Sequence, residues 1–255
     1  MSPLVPSFLY PFVMFGTFAA LAAIIVGLNR SLIIANWSTR DRSRAIWGAG
    51  ALLATFYLAA SLPSRAGFYG GTTSKIPTIQ YGLLIPIVAG ILLFSIWQPF
   101  RRVIAAVPQQ WLVGVQLYRI EGVIFLVLYA IGRLPAAFAL PAGAGDVLVG
   151  LLAPVVALAQ IRKWPNANSL LRAWNLLGLA DLVVALTTGF LTSPSPLQKF
   201  AFDAPNLLIG RYPLVLVPVF LVPLAILLHL ASLQKLRQTE TAQITRPPIV
   251  ITQQG

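Results

Sequence analysis

The alternation of apolar and polar positions divides the chain into seven long apolar runs joined by polar connections, at roughly residues 7 to 28, 45 to 62, 79 to 97, 109 to 132, 141 to 161, 168 to 191 and 212 to 233. Each run suits the ~20 residues that a helix needs to cross a hydrocarbon core ~30 Å thick. The pattern predicts an all-α integral membrane protein, with residues 1–235 forming a seven-transmembrane-helix bundle. No basic residue precedes Arg30, and the first run is too long for the apolar core of a secretory signal, so it reads as a retained span. From Leu236 to residue 255 the chain turns polar and carries Pro247 and Pro248. That stretch is expected to be a flexible tail with little fixed structure.

Charge then supplies an orientation. A net charge of +12 would suggest a nucleic-acid partner in a soluble protein, but here 58% of residues are hydrophobic, 9% are charged and the mean hydropathy is +0.82. The basic residues instead mark topology. Twelve lie in alternate connections and the tail: Arg30, Arg40, Arg42, Arg44, Arg101, Arg102, Arg162, Lys163, Arg172, Lys235, Arg237 and Arg246. Five lie on the other side: Arg65, Lys75, Arg133, Lys199 and Arg211. The positive-inside rule puts the N-terminus outside and the C-terminus in the cytoplasm of a multi-pass protein of the plasma membrane. The same clusters suit anionic lipid headgroups at the cytoplasmic loops, and no nucleic acid is expected.

Composition also removes several chemistries. There is no Cys, hence no disulfide, thiolate nucleophile or Cys-ligated metal centre. A single His, His229, cannot form a multi-histidine metal site or a bis-histidine haem within one chain. Every Lys lies in a connection or the tail, which excludes a retinal Schiff base, and no cofactor is expected. His229 is placed near the cytoplasmic end of the last run, about 6 to 9 Å deep, and reads as an interfacial or helix-end residue. Pro218 and Pro223 are expected to kink that helix.

Two connections on the outer side are longer than the rest, Pro63 to Thr78 and Thr192 to Arg211. Both hold aromatic residues, Phe68 and Tyr69 in one and Phe200 and Phe202 in the other, suited to the membrane interface. They read either as caps on the bundle or as an outer vestibule. GLLIPIVA at residues 82–89 and GLLAPVVA at 150–157 are alike, but such residues dominate all apolar helices and the offset does not divide seven runs into equal halves.

The unusual residues are charges inside the apolar runs. The fourth run, GVQLYRIEGVIFLVLYAIGR, holds Gln116, Arg119 and Glu121. At ~1.5 Å per residue from the cytoplasmic end, Arg119 lies about 13 Å deep and Glu121 about 16 Å. On the same scale Asn175 and Asp181 of the sixth run lie about 10 and 20 Å deep, and Asp146 of the fifth about 24 Å. Charge inside the hydrocarbon is costly and faces protein or a wet cavity. Two residues apart on an α-helix is a turn of ~200°, so Arg119 and Glu121 reach different neighbours. In RAWNLLGLAD, Arg172, Asn175, Gly178 and Asp181 recur every three residues as one stripe, and Asp181 is the expected partner of Arg119. Asp146 has a competing role as an acid near a helix N-terminus.

The sequences WNLLGLADLVVA and YPLVLVPVFLVPLAILLHLASLQKL, in the sixth and seventh runs, resemble an uncharacterised family of prokaryotic multi-spanning membrane proteins with no assigned function. GAGD at 143–146 resembles the GxGD signature of intramembrane aspartyl proteases, with Asp181 as the implied second aspartate. The chain departs from that pattern: its GxGD comes on the earlier helix, no PAL motif follows, and Ala180 precedes Asp181 where the family has Tyr.

Three functions follow as expectations. The first is a transporter or channel for a small solute or ion, with Arg119, Glu121, Asp181, Asn175, Asp146 and Gln116 in its pathway. The others are a seven-helix sensor or interaction protein and a GxGD-like hydrolase. Against all three stands a cluster that only fixes helix packing.

Overall fold

In a computed structural model, described over residues 5–244, the chain is helical with no strand among the described residues. Seven helices are long and apolar enough to span a membrane. They are α1 (Leu9–Ile34), α2 (Thr39–Arg65), α3 (Ile79–Ile96), the composite span Gln109–Ala130, α7 (Ala136–Ile161), α8 (Ala167–Thr192) and a last span over Val217–Thr241. Large apolar side chains cover the outer surface, with Phe15 and Trp47 each 78% exposed. Such a surface is untenable in water and natural against lipid. The molecule is a multi-pass membrane protein.

The composite span is not one regular α-helix. It opens as α5 (Gln109–Gly114), tightens to a 3₁₀ segment from Val115 to Gly122, and resumes as α6 (Val123–Ala130). The last span opens with a π turn over Val217–Leu221 and continues as α9 (Val222–Ile244). Pro218 and Pro223 withhold backbone donors here, so the expected irregularity takes the form of this π turn. Tyr212 to Val215, expected inside that helix, instead form turns ahead of it, with Leu214 and Val215 buried. The helix also runs past Leu236, where the polar tail was expected to begin, to Ile244, with Arg172 on α8 holding both oxygens of Glu240 at 2.7 Å. Lys235 thus lies in a helix and not in a tail. Residues 245–255 lie outside the described residues.

A further helix, α4 (Gln98–Ala106), fills the connection between the third and fourth spans. Pro99 suits its first turn, and QPFRRVIAA sets Phe100, Val103 and Ile104 against Arg101 and Arg102. Lys235 donates to the carbonyl of Ala105 at 2.7 Å, satisfying an orphan acceptor at the C-terminal end of α4.

Helix α7 is central and packs on α8, α5, the 3₁₀ segment and α6. Half of its most apolar window is buried, against 6% for α3, so the two similar octapeptides occupy unlike environments. The long connections Pro63–Thr78 and Thr192–Arg211 pack together over one end of the bundle, with no room for a Cβ between Gly71 and the Pro194 carbonyl or between Gly210 and the Tyr69 carbonyl.

Candidate functional site

The site grows from the 3₁₀ segment. With three residues per turn, positions i and i+3 eclipse, so Gln116, Arg119 and Gly122 fall on one line and are the segment's buried residues. Glycines let this line press on α7. A Cβ at Gly150 would lie 2.7 Å from the backbone nitrogen of Ile120, and one at Gly122 would lie 2.3 Å from the Cβ of Asp146. Close approach at small residues is how helices associate where apolar burial gives no net drive.

Arg119 is only 3% exposed and uses all three guanidinium nitrogens. Nε donates to Oδ1 of Asp146 at 2.8 Å, and Nη2 lies 2.7 Å from the same oxygen. Nη2 also donates to Oδ2 of Asp181. Nη1 lies 3.1 Å from Nε2 of His229 and 3.4 Å from the Gly178 carbonyl. One side chain thus ties the 3₁₀ segment to α7, α8 and α9. The expected contact with Asp181 is present.

Two placements differ from expectation. Asp146 is not at a helix end: α7 begins at Ala136, through Pro141, so Asp146 sits ten residues in and binds Arg119. His229 is not interfacial, because the last span runs from Val217 to Thr241 and centres on it. It is fully buried, with its ring 4.8 Å from that of Trp174. A guanidinium can only donate, so Nε2 of His229 accepts and Nδ1 carries the proton. That proton goes to Oδ1 of Asn175 at 2.9 Å. Nδ2 of Asn175 donates to Leu171 O and to Oγ of Ser232, and Nε2 of Gln109 reaches that same hydroxyl at 2.6 Å. The polar stripe on α8 therefore faces α9, and a hydrogen-bonded chain runs from Arg119 to the start of α5. The pathway expected from sequence left out His229, read there as interfacial, and assigned no role to Ser232 or Gln109. The recurrence of Asn175, Gly178 and Asp181 every three residues pointed to their face, and nothing local identified the partners on α9.

The carboxylates outnumber the cation. Asp146 and Asp181 each give one oxygen to Arg119, and among the described residues no side-chain donor reaches the second oxygen of either. Glycine makes room for Asp181 too, since a Cβ at Gly145 would overlap its Oδ1. Glu121 points away from Arg119, as its angular position required, and rests on α1, where a Cβ at Gly16 would overlap its carboxylate. It has no hydrogen-bond partner among the described side chains. Thr17, next to Gly16 on α1, buries its hydroxyl without a partner, and Gln116, on the Arg119 line, buries both amide atoms without partners. Each such group costs about 1–3 kcal/mol if left dry. Gly16→Ala should therefore lower the thermal midpoint through overpacking of about 1–3 kcal/mol. Adding Glu121→Ala should restore it, and a thermal-shift series on the two single variants and the double variant checks the coupling.

A narrow cavity of ≈ 80 Å³ leads to the cluster. Its lining includes Gly71, Pro194, Asn206 and Arg211 from the two long connections and Asp146 from the cluster, among mostly apolar side chains such as Phe125, Phe138 and Leu182. A water needs roughly 10–15 Å³ of free space for its centre, so the cavity has room for several waters or a small ion. No group of three or more metal-ligating side chains occurs among the described residues.

The model of a family described as "Domain of unknown function (DUF8737)" matches residues 76–237. The chain belongs to this family. The match takes in every hydrogen-bonded member of the cluster and leaves out α1, which carries Gly16 against Glu121. An uncharacterised family is what the resemblance in the last two runs implied. No curated protein and no solved structure matches the chain.

The GxGD comparison fails on geometry. An aspartyl pair that activates water shares one proton between its carboxyls and holds the water there. Between Asp146 and Asp181 that place is filled by Nη2 of Arg119.

Proposed function

We propose that this DUF8737 protein is a multi-pass carrier or channel of the plasma membrane for a small ion or solute, with its N-terminus outside and its C-terminus in the cytoplasm. The observation that carries the reading is the charge imbalance at Arg119. Two carboxylates converge on one guanidinium deep in the bundle, each with an oxygen to spare, and a cavity sized for water or ions reaches one of them from the long connections. Spare carboxylate oxygens accept protons or small cations. Glu121 and Thr17 add polar groups on the α1 side, and Gln116 adds an unpartnered amide on the same line as Arg119. Asn175 positions His229 and so completes the arginine's surroundings. Arg119 itself serves as a fixed counter-charge, since an arginine does not release its proton at accessible pH.

Pyranine-loaded proteoliposomes given a potassium gradient with valinomycin test this directly. Wild-type protein should acidify or alkalinise the lumen well above protein-free liposomes, or do so when sodium or potassium is the only permeant cation. Rates equal to the protein-free control under both conditions would count against an ion pathway.

A further inference from the structure

Helices α2 and α3 bury only 11% and 6% of their most apolar windows, because α2 leans on α1 and α3 on α9. Between them lies a groove of ≈ 1760 Å³, floored by α1 and α9 and closed at one end by α4. That exceeds the ~300–1,000 Å³ of an ordinary small-molecule pocket. On α2 the lining runs from Asp41 to Pro63, about 33 Å at the helical rise, enough to cross the ~30 Å hydrocarbon core and reach its interface.

The charges in this groove are all at one end. Its charged lining residues are Asp41, Arg44, Arg102 and Arg237, carried by the start of α2, by α4 and by the far part of α9. Asp41 lies 3.8 Å from Arg44, which leaves two positive charges in excess. Helix α4 is short and amphipathic and suits the membrane interface, with Trp97 stacked on Phe100 at its start. Lys235 fixes it to α9. Beyond this end the walls are apolar, with glycines at Gly48 and Gly90 keeping them low.

We infer that this groove is a binding site for an anionic phospholipid, with its phosphate at Arg44, Arg102 and Arg237 and its acyl chains along α2 and α3. The charge pattern selects the occupant. A basic mouth on an apolar trough, open sideways to the bilayer, matches an anionic amphiphile, whereas a second copy of this chain would bring its own basic residues to the same end. The site is separate from the Arg119 cluster and stands whether or not that cluster conducts.

Native mass spectrometry of the full chain in detergent, titrated with dioleoyl-phosphatidylglycerol or dioleoyl-phosphatidylcholine, tests the inference. Wild-type protein should retain phosphatidylglycerol in preference to phosphatidylcholine. Arg44→Gln, Arg102→Gln and Arg237→Gln should each weaken that preference roughly fivefold. These three positions are exposed, so the fold should be unaffected. Gly48→Trp should reduce retention of both lipids, because a Cβ at Gly48 meets nothing within 4 Å and the indole would fill groove space without a clash. Equal retention of the two lipids by wild-type protein would overturn the site, as would unchanged retention in Gly48→Trp. A dimer that Gly48→Trp dissolves without altering lipid retention would overturn it in favour of a second copy.

Discussion

Replacing Arg119 with Leu should destabilise the protein by about 3–5 kcal/mol or more, the cost of leaving buried charge without its partner. Leu keeps the length of the aliphatic stem, so the loss is chiefly electrostatic, and the void left by the buried guanidinium adds to it. The variant strands the carboxylates of Asp146 and Asp181 side by side with no cation, and removes the donor to Nε2 of His229. It also unties the 3₁₀ segment from α7, α8 and α9 together, so the effect should be global and not confined to one helix. Thermal denaturation in detergent should show the midpoint falling far more than in any single-acid variant. Asp146→Asn combined with Asp181→Asn in the Arg119→Leu background should recover part of the loss, because the stranded charges are then gone.

Asp181→Asn should give the opposite split, with the fold retained and the flux lost. Arg119 still has the Oδ1 of Asp146 on both Nε and Nη2, so its charge stays neutralised, and the amide oxygen of Asn replaces Oδ2 as acceptor. The stability cost should be about 1 kcal/mol, that of exchanging a charged hydrogen bond for a neutral one. What disappears is the second carboxylate, and with it the spare oxygen that can take up a proton or cation. A cluster whose only work is packing would show no such split.

The span count and the deep charges were legible because both depend on one-dimensional quantities. A run of ~20 apolar residues is sufficient for a span, and a charge inside such a run stands out whatever surrounds it. The Arg119 to Asp181 contact was legible for a related reason, since the stripe Asn175, Gly178, Asp181 had to face protein and only one buried cation was near its depth. The errors came from helix ends and pitch. Asp146 and His229 were assigned to the membrane edges because the fifth run was started at Pro141 and the last span was stopped near residue 233. Proline at position 141 is tolerated inside α7, and the polar residues after Leu236 are held by Arg172. The 3₁₀ stretch has no local signature either; it packs against Gly150 on another helix, where a Cβ would meet the backbone nitrogen and side chain of Ile120. Helix α4 was readable in retrospect from the opposed faces of QPFRRVIAA, a signal too short for a spanning window to register. The recess at Gly16 that receives Glu121 joins residues on different helices, which no pattern within one run can reveal.

The most direct test of the central claim is the proton and cation flux of wild type against Asp181→Asn in matched proteoliposomes, with equal incorporation and with thermal midpoints recorded on the same preparations. The account predicts flux for wild type and a rate at the protein-free baseline for Asp181→Asn, with the two midpoints within a few degrees of each other. Equal flux in both proteins, or a loss of flux that appears only together with unfolding, would contradict it.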